Sequence, residues 1–126
     1  MPDALILIVE DNEKNRKLVR DVLQHQGYRT VECERGEDAV RLAQEQGPAL
    51  VLMDIQLPGI SGIEALALLR ADARTRDIPV MAVTASAMTQ DKQRIIDAGF
   101  DAYHAKPISV RGLLAEVADL VARARG

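Results

Sequence analysis

The sequence predicts an α/β fold, a doubly wound sheet of five parallel strands, and three features of its 126 residues carry that expectation. Short runs that are apolar throughout recur along the chain, longer stretches of helical spacing separate them, and glycine or proline closes several of those stretches. Strands of a parallel sheet are covered by helices on both faces, so they read as unbroken apolar runs rather than alternating ones. Regular strand-helix alternation in turn calls for right-handed crossovers with helices on both sides of the sheet.

The runs Ala4-Leu5-Ile6-Leu7-Ile8-Val9, Leu50-Val51-Leu52-Met53 and Val80-Met81-Ala82-Val83 are the central strands. Thr30 to Cys33 and Ala102 to Ala105 carry more polar groups and belong toward the edges, where one side is less covered. Leu18, Val19, Val22 and Leu23 mark a first helix, and Gly27 is a stop that tolerates a left-handed conformation. Ala39, Val40, Leu42 and Ala43 mark a second, closed by Gly47-Pro48, and Ile63, Leu66 and Leu69 a third that fades before Ile78-Pro79. The fourth, Thr89 to Ala98, has only Ile95, Ile96 and Ala98 as an apolar cluster, which predicts the most loosely attached helix. Ser109 is placed to cap a final helix striped by Leu113, Leu114, Val117, Leu120 and Val121.

Length and composition narrow the function classes. A chain of 126 residues holds one core, so residues 1–126 are expected to form a single domain with no output domain. Net charge is −3, with 16 basic and 19 acidic residues dispersed along the chain, so no basic block offers a footprint for nucleic acid. Cys33 stands alone, which excludes an internal disulfide or a cysteine-rich zinc site and predicts a small half-buried side chain in a reducing compartment. The Ala4–Val9 run is too short to span a bilayer and lacks the flanks of a signal peptide, so no membrane association and a cytoplasmic location are expected.

In doubly wound folds ligands bind beyond the carboxyl ends of the strands. The residues found there are Glu10 and Asp11 after the first strand, Asp54 after the third, Thr84 after the fourth and Lys106 after the fifth. Any one of them has a plain explanation as a cap or turn residue; the conjunction is informative. Three carboxylates brought together repel unless a cation or proton neutralises them, and oxygen-only ligands favour a hard metal such as Mg²⁺. Mg²⁺ tends to share its coordination with a phosphoryl oxygen, which makes the cluster a phosphoryl-transfer site. Lys106 is then suited to neutralise a second phosphoryl oxygen and the Thr84 hydroxyl to donate to a third, leaving Asp54 as the nucleophile.

Val9-Glu10-Asp11-Asn12, Met53-Asp54-Ile55-Gln56-Leu57-Pro58-Gly59, Val83-Thr84-Ala85 and Lys106-Pro107-Ile108 stand in this order along essentially the whole chain. In these motifs and their order the sequence resembles a response-regulator receiver domain. With Thr84-Ala85-Ser86-Ala87-Met88, the pattern is most similar to stand-alone cell-cycle regulators of the DivK type and is also similar to receivers at the ends of hybrid kinases. The resemblance implies a flavodoxin-like sheet of strand order 2-1-3-4-5. It implies a non-enzymatic switch whose Asp54 accepts a phosphoryl group from a histidine kinase or histidine phosphotransfer protein. By the same resemblance the metal is held by Asp11, Asp54 and the Gln56 backbone carbonyl, with Glu10 acting through water. Thr84 and Tyr103 are implied as the switch pair. With no output domain expected in the chain, a downstream kinase or adaptor protein is the expected target.

Other residues and readings carry less. His25 and His104 have no catalytic pairing nearby in sequence and are expected to be solvated surface histidines. Pro58, Gly59 and Gly62 are expected to serve turn geometry. The Gln56 side chain stands where it can influence water access, or be exposed without consequence. A small Mg²⁺-dependent phosphatase would keep a second acid where Gln56 stands. For a flavin carrier, Glu10 and Asp11 would repel the flavin phosphate, and the chain has only Tyr28, Phe100 and Tyr103 to stack on the ring. A receiver cut from a hybrid kinase would share every motif; Met1 and the capped final helix point instead to a natural single-domain protein.

Overall fold

Five strands and five helices alternate along the chain in the computed structural model, which describes residues 4–85 and 89–125, without the side chains of 89–91, 124 and 125. They are β1 (Leu5–Val9), α1 (Glu13–His25), β2 (Arg29–Cys33), α2 (Gly36–Gln46), β3 (Leu50–Asp54), α3 (Gly62–Ala71), β4 (Val80–Thr84), α4 (Thr89–Ala98), β5 (Ala102–Ala105) and α5 (Val110–Arg125). All strand pairs are parallel and the order is β2-β1-β3-β4-β5. The more polar β2 and β5 lie at the edges, as expected.

The unbroken apolar runs follow from burial on two faces. Leu7, Val9, Val51, Met53, Val80 and Ala82 pack on one side with Ala39 and Ala43 of α2, Ala65, Leu66 and Leu69 of α3, and Ile95 of α4. Their alternates Ile6, Ile8, Leu50, Leu52, Met81 and Val83 pack on the other with Val19 and Leu23 of α1 and Leu113, Val117, Leu120 and Val121 of α5. Each such fully buried aliphatic side chain contributes roughly 1.5–3 kcal/mol relative to exposure.

Helix ends follow local chemistry. Asn12 caps α1 by accepting from the Asn15 amide, Gly47 closes α2 at φ 55°, and Ser61 and Glu64 form a reciprocal capping box on α3. Ser109 caps α5, its hydroxyl accepting from the Gly112 amide at 3.2 Å. Cys33 is half-buried, as expected, and burial foremost pushes its thiol up to about 11, which makes it a poor nucleophile.

The structure differs from the sequence reading in three places. Leu18 is exposed although it belongs to the apolar spacing of α1, because only Val19 and Leu23 point fully inward. In α4, Ile96 and Ala98 face outward and Ile95 is the one buried side chain among those described. His104, expected on the surface, is buried at 7 % exposure because β5 turns it under α5; His25 is exposed as expected. Among the described residues no helix is long and apolar enough to cross a membrane.

Candidate functional site

The strand order reverses between β1 and β3, which opens a crevice at their carboxyl ends. Glu10 and Asp11 follow β1, Asp54 closes β3, Thr84 closes β4 and Lys106 follows β5, so all of these predicted residues come to the same edge of the sheet. The last residue of a strand lies at the rim of the sheet, within reach of a ligand, while the preceding ones hold the backbone rigid. That is why buried, apolar β3 can carry a polar Asp54 at its tip.

Within the crevice the carboxylates of Glu10, Asp11 and Asp54 have oxygens within 4.8 Å of one another. Glu10 and Asp54 are buried and Asp11 is exposed. The Lys106 ammonium donates to Glu10 Oε1 at 2.7 Å and to Asp54 Oδ2 at 2.9 Å. The Gln56 amide donates to Asp54 Oδ1 at 3.1 Å, and the Asn12 amide to Glu10 Oε2 at 3.1 Å. The carbonyl of buried Thr84 accepts from the Lys106 amide at 2.8 Å, which ties the lysine-bearing loop to β4.

Burial first, then hydrogen bonding with Asp54, pushes the Glu10 carboxyl up to about 7, against the pull of Lys106. Burial opposes the charge on Lys106, but its hydrogen bonds to Glu10 and Asp54 outweigh that penalty and hold its value above the ordinary one. One ammonium therefore does not neutralise three clustered carboxylates. The donors are all oxygens, and the residual repulsion is what a hard divalent cation relieves, so the residues fit Mg²⁺.

The loop after β3 is shaped by packing that sequence spacing does not display. At Gly62 an added Cβ would lie 2.4 Å from the Asp54 carbonyl oxygen and 2.9 Å from Ile55 Cα, so only glycine lets α3 start against the backbone of the site. The Gly62 amide donates to the Ile55 carbonyl at 2.9 Å. Glu37 of α2 accepts from the Ile60 amide at 3.3 Å and lies over Gly59, whose φ is 77°. Arg16 of α1 donates to the Glu10 carbonyl at 3.0 Å while paired with Glu32 and Glu34. Neither Glu37 nor Arg16 was legible as a site residue, since their partners lie far along the chain. Tyr103 is half-buried on β5, packed against the cluster beneath α2, α3 and α4, and the Gln56 side chain is exposed. Ser86, Ala87 and Met88 of the Thr84 motif lie outside the described residues.

The family model of the response regulator receiver domain matches residues 6–118. The chain belongs to that family. The receiver is 51% identical over 110 residues to the polar-differentiation response regulator DivK of Brucella anthropi, covering 87% of this chain and 89% of the relative. It is also 51% identical over 105 residues to DivK of Brucella ovis, covering 83% and 85%. Among solved structures it is similar to the receiver domain of a sensor histidine kinase from Pseudomonas aeruginosa PAO1, which holds a magnesium ion coordinated in its active site cleft. That match has a TM-score of 0.89 at 33% identity, covering 95% of this chain and 98% of the other. The signal receiver domain of a histidine kinase from Syntrophus aciditrophicus matches with a TM-score of 0.87 at 28% identity, covering 94% and 90%. The receiver is thus a DivK-like component of two-component signalling, a family of signalling switches rather than of turnover enzymes.

Proposed function

We propose that this receiver accepts a phosphoryl group on Asp54 from a phosphohistidine of a histidine kinase or histidine phosphotransfer protein, and passes the signal on through protein contacts. The observation that carries this reading is the convergence of Asp54 with Glu10, Asp11 and Lys106 at the reversal of strand order.

An Asp54 carboxylate oxygen attacks phosphorus, the phosphorus–nitrogen bond of the donor breaks, and the imidazole departs with the bonding pair and takes up a proton. The Gln56 amide fixes Asp54 Oδ1, so the carboxylate meets the donor in one orientation. Lys106, already on Asp54, meets the charge carried by the phosphoryl oxygens, and the Thr84 hydroxyl donates to another of them. Asp11, Asp54 and the Gln56 carbonyl would hold Mg²⁺, with Glu10 acting through water, and the bound ion would neutralise phosphoryl charge. Position 56 bears an amide rather than an acid, which suits an adduct that persists over one that turns over.

Residues 1–126 act in this reading as one receiver domain, in the cytoplasm, with a downstream kinase or adaptor as target. The likeness to receiver domains of histidine kinases supports a second reading, a receiver that works as part of a hybrid kinase. Incubation with radiolabelled acetyl phosphate and Mg²⁺ tests the acceptor: label is expected on the wild type and absent from Asp54→Asn. Equal incorporation in that variant refutes the assignment.

A further inference from the structure

The buried histidine of β5 is not used by the reaction just described. His104 lies in register with Val83, so its ring faces the α1 and α5 layer, whereas Tyr103, in register with Ala82, packs on the opposite side. Both ring nitrogens are engaged: Nδ1 is 2.6 Å from Glu116 Oε1, and the Ser109 amide lies 3.3 Å from Nε2. An amide can only donate. Nε2 is therefore the bare nitrogen, Nδ1 carries the proton and donates it to Glu116, and Glu116 sets the tautomer.

Ser109 in turn begins α5, its hydroxyl accepting from Gly112 and its carbonyl from the Leu113 amide at 2.8 Å. The first turn of α5 packs on the ring, since a Cβ added at Gly112 would lie 3.6 Å from His104 Cε1. At the other end of the same loop the Lys106 amide is held by the Thr84 carbonyl. The segment from Lys106 to Ser109 is thus fastened at both ends. A lysine stem is flexible, and its head is placed only as well as the backbone beneath it.

We infer that His104 is a positioning residue for Lys106: its neutral ring, oriented by Glu116, fastens the β5–α5 loop through the Ser109 amide and so keeps the Lys106 ammonium on Asp54. This rests on Asp54 being the phosphoacceptor. The test is the rate of phosphorylation of the full chain by acetyl phosphate at saturating Mg²⁺, with the ¹⁵N-detected ammonium resonance of Lys106 as a second readout. His104→Leu fills the buried space without an acceptor and is expected to slow phosphorylation about three- to tenfold and to shift or broaden the Lys106 signal. His104→Gln returns an acceptor to the Ser109 amide and restores both readouts. Glu116→Ala, at a partly exposed position, moves both in the same direction as His104→Leu.

A wild-type rate with an unmoved Lys106 signal in His104→Leu overturns the inference, as does a defect that His104→Gln leaves uncorrected. Should His104→Leu fail to fold, unchanged readouts in Glu116→Ala overturn it instead. If Asp54→Asn still takes label, it is the acceptor reading that falls, and the Lys106 resonance in the same variants decides separately whether His104 places the ammonium.

Discussion

Glu10 is the residue whose chemistry is furthest from ordinary, and it sets the pH behaviour of the site. Its folded-state value, about 7, lies above the ordinary 4.5, so proton uptake by Glu10 favours the fold. That contribution is fully present below about pH 4.5 and is lost as pH rises through about 7, a loss on the order of 1–3 kcal/mol in metal-free buffer. A divalent cation favours the ionised carboxylates, so the gain in melting temperature from Mg²⁺ is expected to be larger at pH 8 than at pH 5.5. Calorimetry with EDTA and with Mg²⁺ at both values checks this, and an equal gain at both contradicts it. Asp54 is the largest side-chain contributor to the Glu10 shift after burial. Asp54→Asn should therefore return Glu10 toward its ordinary range and raise metal-free stability at pH 7 by about 1 kcal/mol. Carbon-detected titration of the Glu10 carboxyl and urea denaturation measure the two effects.

Two neighbouring positions at the start of α3 separate what an element needs to form from what the site needs to be shaped. Ser61 holds the capping box with Glu64, and Ser61→Ala is expected to cost about 1 kcal/mol of stability while leaving Mg²⁺ affinity unchanged. At Gly62 an added methyl runs into the Asp54 carbonyl and the Ile55 backbone, neither of which can rotate away. Gly62→Ala should cost roughly 1–3 kcal/mol and also weaken Mg²⁺ binding, because α3 and the loop after Asp54 must move apart. Denaturant melts and Mg²⁺ titration of the two variants side by side test the distinction. Equal Mg²⁺ affinities would show that the loop absorbs the methyl without disturbing the carboxylates.

At the scale of the whole molecule, the two layers grip the sheet unequally. α5 anchors its side with Leu113, Val117, Leu120 and Val121, whereas α4 has Ile95 alone among its described side chains. The helix with the least buried apolar surface opens most readily. Thr84 and Tyr103 lie next to α4 on neighbouring strands, so a phoshoryl group that engages Thr84 is expected to be felt in β5 and α4 before the rest of the fold. Hydrogen exchange with and without a beryllofluoride phosphoryl mimic should show altered protection in both elements. Changes confined to the loops around Asp54 and Lys106 would argue against transmission along this route.

Periodicity and punctuation alone determined the element order, the edge placement of β2 and β5, and the helix stops at Gly27 and Gly47, because these depend on burial and backbone freedom that neighbouring residues decide locally. The conjunction of Glu10, Asp11, Asp54, Thr84 and Lys106 was legible for the same reason: in a doubly wound sheet the residue after each strand has only one edge to occupy. What spacing cannot express is which distant groups meet. Arg16 reaching the Glu10 carbonyl, Glu37 lying over Gly59, and Gly62 against the Asp54 backbone each join residues from separate elements. His104 is the clearest instance. Its strand position alone did not settle burial at a sheet edge, and its meaning comes from Glu116 and Ser109, which α5 carries back over the ring. Tertiary packing decided these contacts because the same side chain is a solvated surface group or a buried fastening according to the helix that covers it.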